Sequence, residues 1–355
     1  MSGERKVIEE PKWPPFNPFV RQPTTTLGKV LMLGFGLVLV PIRLLGAIAT
    51  CSIGLCWCYL CSLGCDASKP YTPFRKSLLT GGLGILSRVL LFFYGYVWIQ
   101  VEYEVDDAQE RAKQRLDASL VVVNHIGFAE LIYLIWSDGC CFVSKAANRN
   151  LPFIGKIAKL LQCIFVDRVG GDEGGGKSTT EKILERAHSP PGTWPPLCVC
   201  PEGTTTTGHC LVKFATGAFR AGLPVQPVIV SSPFYPTFGY DPSFSATNIV
   251  LHILGLMTQP MNQLHVKHLA VYTPNKAEKA DPKLYANNVR KVMAKAMGVN
   301  SYELTWIDKL RFESTEKLRA FGRKKLAERH GGVEPPMPKF IQDPFGNSLE
   351  SSKDK

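Results

Sequence analysis

His125 stands five residues before Glu130 and just after the β-branched run Ser119–Val123. A carboxylate beside an imidazole can fix its tautomer and stabilise the imidazolium formed on proton uptake, which is the apparatus of a general base. Two more reactive segments follow apolar runs in the same way. Asp167-Arg168 closes Cys163–Val166, and Pro201-Glu202-Gly203 closes Leu197–Cys200. A single His–Glu spacing is weak evidence, since most histidines in folded domains are structural. Three such endings weigh more, because a strand that ends on a reactive side chain delivers it to the C-terminal edge of a sheet, where α/β sites gather.

The surrounding pattern predicts those strands and the helices between them. Val97–Val105, Ser119–Val123, Cys141–Ser144, Cys163–Val166, Leu197–Cys200 and Val225–Val230 read as strands. Asp107–Leu116, Glu130–Trp136, Ile154–Leu161, Thr179–Ala187, Phe214–Ala221 and Asn287–Met297 read as helices, and 302–329 as a basic helical stretch with Lys309 among its cations. Alternation of the two kinds predicts an α/β domain, a mixed sheet flanked by helices. The last 25 residues read as disordered, and there is no internal repeat.

The N-terminal third differs. Residues 1–29 are polar and Pro-rich and lack the pattern of a cleavable signal. Val30–Ile42 and Leu44–Cys65 are apolar, the second run holding 22 residues without a charge. About 20 residues cross a bilayer. Pro41 and Arg43 break the first run, which leaves open one spanning helix or a hairpin in one leaflet. Leu78–Ile99 is apolar around a central Arg88, whose position fits an interfacial helix with the guanidinium at the head groups. The expected organisation is a polar segment at 1–29, membrane-anchoring helices at 30–99, a catalytic domain at 100–300, and a basic helix with a disordered tail at 301–355.

Composition agrees with a membrane-bound globular domain. The 355 residues are 45% hydrophobic and 20% charged, with a net charge of +11. Mean hydropathy is +0.01, too apolar for a disordered chain and too polar for a multi-span transporter. The positive excess points to an anionic partner. No row of aromatics interleaves with Lys and Arg, so nucleic acid is not expected. The eleven cysteines are odd in number, and Cys51, Cys56, Cys58, Cys61 and Cys65 share the apolar run. That pattern fits reduced thiols on a cytosolic face better than a disulfide framework. Zinc and palmitoylation are the alternatives for the cluster.

The ordered blocks resemble one family. Asn124-His125-Ile-Gly-Phe-Ala-Glu130 resembles the HX4D box of the PlsC-like glycerolipid acyltransferases. Phe165-Val-Asp-Arg168, Pro201-Glu-Gly-Thr-Thr-Thr-Thr-Gly208 and Val225-Gln-Pro-Val228 resemble its second, third and fourth blocks, in family order. The third block, followed by Lys213-Phe214-x-x-Gly217-Ala218-Phe219, is similar to the lysophosphatidylcholine and lysophosphatidylethanolamine branch. Glu130 stands where most members have Asp, and Thr207 where this branch has Asn.

The resemblance implies a membrane-bound enzyme of the endoplasmic reticulum that moves an acyl group from acyl-CoA to a lysophospholipid at the lipid bilayer. His125 is the implied base and Glu130 its partner. Lys145, Arg168, Glu202, Gly203, Thr204 and Thr205 are the implied substrate-binding residues, with backbone N–H groups near Gly203 and Thr204 facing developing charge. Arg168 has an alternative role in a salt bridge with Asp167 or Glu202. No metal and no cofactor beyond the acyl-CoA co-substrate are implied. Family members that use lysophosphatidic acid carry Arg where Thr205 stands here, so a phosphodiester acceptor is expected over lysophosphatidic acid or glycerol phosphate.

Other readings compete. Gly171–Ser178 satisfies the G-x4-G-K-S pattern of a phosphate loop, but Asp172 and Glu173 would face the phosphates. A nucleotide-binding protein is therefore the runner-up. A membrane scaffold without turnover is a third reading. His265-x-x-His268 resembles half a metal site but reads as structural. No D-x-D-x-D-G calcium loop occurs.

Overall fold

The computed structural model describes residues 13–118, 120–166, 178–235, 237, 239–245, 247–313 and 315–340. Helix α1 (Thr26–Ser62) and α2 (Pro73–Phe93) precede β1 (Trp98–Tyr103), α3 (Ala108–Asp117), β2 (Leu120–Val123), α4 (Ala129–Asp138) and β3 (Cys141–Lys145). Then come α5 (Ile154–Leu160), β4 (Ile164–Val166), α6 (Thr179–Ala187), β5 (Leu197–Val199), β6 (Val225–Ser231), α7 (Ile249–Thr258) and β7 (Gln263–His268). Four helices close the chain: α8 (Lys276–Ala280), α9 (Pro282–Met297), α10 (Trp306–Lys309) and α11 (Glu316–Arg329).

The seven strands form one sheet in the order β1-β7-β6-β2-β5-β3-β4. Strands β6, β2, β5, β3 and β4 are mutually parallel, so their C-terminal ends share one edge. Strand β7 runs antiparallel to β6 and carries β1 parallel to itself. The sheet is therefore mixed, as expected.

All four residues of β2 are buried, as a central strand covered on both faces requires. Successive side chains alternate between faces. Leu120 and Val122 pack with Leu79 and Leu83 of α2, Ile183 of α6 and Tyr285, Val289 and Met293 of α9. Val121 and Val123 pack with Tyr133 and Leu134 of α4 and Leu256 and Met257 of α7.

The apolar N-terminal runs form one antiparallel hairpin. Helix α1 continues through Pro41, contrary to the expected break; at 37 residues it is about 55 Å long. A proline inside a helix loses one backbone bond, and the helix is held there by its neighbours. Arg43 donates to the carbonyl oxygens of Met257, at 2.8 Å, of Pro260, at 2.9 Å, and of Gln259. The Trp57 indole donates to Leu78 O at 3.1 Å across the hairpin. Arg88 is not simply a head-group cation: it donates to the Val97 carbonyl at 2.7 Å and lies over the Trp136 ring. Both helices are long and apolar enough to cross a membrane by length and composition. Their outer faces leave residues such as Leu37 and Leu45 about 70% exposed, which fits membrane association.

The hairpin is also part of the core. Cys58 and Cys61 of the thiol cluster are buried against the sheet's helices, and Gly84 of α2 brings the chain against the backbone of Trp136 in α4. The polar N-terminal segment is likewise packed from residue 13 onward. Phe19 is fully buried beside Cys210, Val212 and Leu304. Residues 214–221, expected as a helix, form turns. Helix α7 and strand β7 were absent from the expected elements. The span expected as disordered begins with extended chain at 333–340, where Phe340 meets the Trp13 ring; residues 341–355 lie outside the described residues.

Candidate active site

Strand β2 ends at Val123, and the side chain of the next residue, Asn124, extends the ladder to β6 by one step. Its Nδ2 donates to Val230 O at 2.8 Å and its Oδ1 accepts the Val230 N–H at 2.7 Å. The next residue is His125, fixed at the C-terminal edge of the sheet.

Its imidazole Nδ1 lies 2.7 Å from Glu130 Oε1. Glu130 occupies the first turn of α4, where helix geometry aims backbone N–H groups at an anion. The same oxygen accepts the Ile126 N–H at 3.1 Å and the Gly127 N–H at 2.9 Å. Glu130 is fully buried, whereas the His125 side chain keeps 21% of its surface exposed. A carboxylate with three donors on one oxygen favours the tautomer with its proton on Nδ1. That leaves the Nε2 lone pair, on the opposite edge of the ring, to accept a proton.

The turn after β5 grips the backbone of His125. Glu202 Oε1 accepts the His125 N–H at 2.8 Å and Glu202 Oε2 accepts the Val212 N–H at 3.2 Å. The Thr206 N–H donates to His125 O at 2.9 Å. Gly203 between them has φ +66°, a left-handed conformation that costs glycine little and other residues more. Its N–H donates to Cys200 O at 3.0 Å, so it closes this turn.

These contacts revise several expectations. Glu202 is buried, not an exposed carboxylate offered to substrate, because the turn folds inward over His125. Burial pushes its carboxyl up to about 8, against the two N–H bonds, and the nearby charge of Glu130 adds to the rise. Thr204 and Thr205 are buried too. The Thr205 hydroxyl donates to Phe244 O at 2.5 Å and accepts from Lys309 Nζ at 2.6 Å. Lys145 is exposed at the end of β3, on the same edge. Arg168, with Asp167, lies outside the described residues, as does Gly171–Lys177 of the phosphate-loop pattern. Ser178, the last residue of that pattern, caps α6 in a capping box with Glu181.

Two contributors were missed. Lys309 reads in sequence as one more cation on a solvated face. It is instead buried, donating also to Thr205 O at 3.0 Å. Burial lowers its ammonium to about 8, Lys145 acts in the same direction, and Glu313 and Glu202 oppose it. The only sequence signal is its place among the apolar residues Trp306, Ile307 and Leu310. The second is the 240–245 segment. Phe244 donates its N–H to Ile126 O at 2.7 Å and lies against Gly127, so this segment covers the turn that carries Glu130's donors. His265 and His268 are three apart on β7 and so occupy opposite faces of the strand; His268 meets the Tyr133 hydroxyl at 3.1 Å.

The site is thus a strand-edge imidazole with a fully buried carboxylate partner. The family model described as Acyltransferase matches residues 100–231, and the chain carries an acyltransferase-family domain. Within that class it is similar to lysophospholipid acyltransferases. It is 34% identical over 261 residues to one from Arabidopsis thaliana, covering 68% of this chain and 65% of that protein. It is 34% identical over 300 residues to one from Homo sapiens, covering 83% of this chain and 55% of that protein. A crystal structure of the 1-acyl-sn-glycerophosphate acyltransferase PlsC from Thermotoga maritima is similar at TM-score 0.49 and 13% identity, over 76% of this chain and 95% of that one. The chain spans between about half and two thirds of the length of the curated relatives it matches.

Proposed function

We propose that the protein moves an acyl group from acyl-CoA to the free glycerol hydroxyl of a lysophospholipid, with lysophosphatidylcholine or lysophosphatidylethanolamine as the favoured acceptor. The observation that carries this reading is the 2.7 Å contact between His125 Nδ1 and the buried Glu130. His125 Nε2 takes the hydroxyl proton as the oxygen attacks the thioester carbonyl. The tetrahedral oxyanion collapses, the C–S bond breaks, and the CoA sulfur leaves with the proton returned from the imidazolium. Glu130 accepts the Nδ1–H and stabilises the charged ring. Lys145 and Arg168 are the cations assigned to phosphate of CoA or of the acceptor.

The names of the curated relatives support the acceptor class, and the apolar hairpin supports a site at the bilayer. The endoplasmic reticulum, with the catalytic domain in the cytosol, is the location proposed in eukaryotic cells. The deciding experiment is a matrix of acyl-CoAs against lysolipids, using membranes that express this chain. Transfer that disappears in His125→Ala supports the reading. Absence of transfer to every lysophospholipid overturns it. Tight ATP binding lost in Lys177→Ala would favour the nucleotide reading instead.

A further inference from the structure

Helix α7 carries no charged residue, and two of its side chains, Val250 and Leu251, are 59% and 65% exposed. Isolated exposed apolar residues are ordinary, but a continuous apolar surface marks a partner. Helix α7 packs along α1, with Thr258 against Gly36 and Met257 bound by Arg43. Met261, just beyond α7, is exposed, and so is Trp98, whose strand neighbour is Gln263.

Arg43 is what ties α7 to the apolar hairpin. It is one of only two charges in α1, the other being Lys29 in the first turn. An arginine among apolar residues is tolerated in lipid when its N–H groups meet carbonyls within the protein. Arg43 meets the carbonyls of Met257, Gln259 and Pro260, which lie at and just beyond the C-terminus of α7. That is also where a helix dipole favours a cation. The two helices are therefore held at one depth, and lipid around α1 at residue 43 also reaches α7.

We infer that α7 is a third apolar element seated in the acyl-chain region of the bilayer, beside the hairpin. This rests on the membrane-associated reading of α1 and α2. The inference has a functional sense, because α7 begins where the site ends. Ser245 donates to Thr205 O at 3.4 Å, and Asn248, three residues on, caps α7 through its side chain. The lipid surface is thus brought to the segment that covers His125 and Glu130, and a lysolipid has a short path from the leaflet to the imidazole.

The test places a photo-crosslinking benzoylphenylalanine at Leu251, at Leu45 on the outer face of α1, and at Lys291 on the exposed side of α9. Each full-length variant is reconstituted in phosphatidylcholine vesicles and irradiated, and lipid adducts are read by mass. Adducts at 251 and 45 but not at 291 are expected. Adducts at 45 without any at 251 overturn the inference while sparing the membrane reading. A chain with adducts at neither position loses both. Leu251→Lys gives a second measurement: KM for a long-chain lysolipid in vesicles rises several-fold with kcat little changed, and an unchanged KM counts against α7.

Discussion

Glu202 holds His125 by its backbone N–H, at 2.8 Å, while Glu130 holds it by the ring, at 2.7 Å. Two buried carboxyl groups therefore divide the work at one histidine. One fixes where the residue sits, and the other fixes how its imidazole is oriented.

The ring partner is tested by kinetics. His125→Ala should lose turnover by about 10²–10⁴-fold, the usual worth of general-base assistance, while the protein stays folded. Glu130→Gln keeps the size and removes the charge, so kcat should fall with little change in KM. Glu130→Asp keeps the charge but draws it back by one methylene from the Ile126 and Gly127 N–H groups. The expected order of kcat is Glu, then Asp, then Gln. A Gln variant with wild-type kcat would make Glu130 structural.

The backbone partner is tested by pH. The carboxyl of Glu202 is raised to about 8 by burial, from an ordinary value near 4.5. Between those values the folded chain binds more protons than the unfolded chain, so this residue makes stability fall as pH rises. One such proton is worth at most about 1.4 kcal/mol per pH unit. Thermal melts of wild type and Glu202→Gln from pH 5 to 9 isolate the effect. The variant should be less stable at low pH, because an amide cannot accept both the His125 and Val212 N–H bonds, yet its melting temperature should fall less steeply. Parallel slopes would remove Glu202 as the titrating group.

Thr205 was expected to choose the head group, so that Thr205→Arg would favour lysophosphatidic acid. The structure points elsewhere. Thr205 is buried, its hydroxyl is committed to Phe244 and Lys309, and a second cation would face the Lys309 ammonium. An uncompensated buried charge costs on the order of 3 kcal/mol or more. Thr205→Arg should lower the melting temperature and activity on both acceptors together. A stable variant with a swing towards lysophosphatidic acid would restore the head-group role.

Removal of residues 1–70 separates an appended anchor from a structural one. Truncation strips Phe19, Ala47, Cys58 and Cys61 from the core and the Arg43 contacts from α7. The truncated chain should be insoluble with or without detergent. A soluble, active fragment would mean that the hairpin only tethers.

The site was legible wherever the chemistry follows directly from a strand end. Val121–Val123 is a run that only a buried strand explains, and the residue after Asn124 had to emerge at the sheet edge. Burial was not legible. Glu202 and Lys309 are ordinary surface residue types, and their burial depends on segments about 100 residues apart meeting over Thr205. Helix α7 was missed because a ten-residue apolar stretch with a histidine has no periodic polar face. Pro41 and Arg43 misled for a related reason: the groups that satisfy the arginine lie at 257–260.

The contact between Arg43 and Met257 spans 214 residues, and that separation has a kinetic side. At typical synthesis rates of about 5–20 residues per second, Arg43 leaves the ribosome on the order of 10–40 s before α7 exists to receive it. Throughout that interval α1 has α2 to pack against but presents the rest of its apolar side chains, and the Arg43 guanidinium lacks the carbonyls that pair it. A lipid surface or a holding chaperone must serve in the meantime, so the order of synthesis favours delivery of this chain to a membrane before its sheet can close.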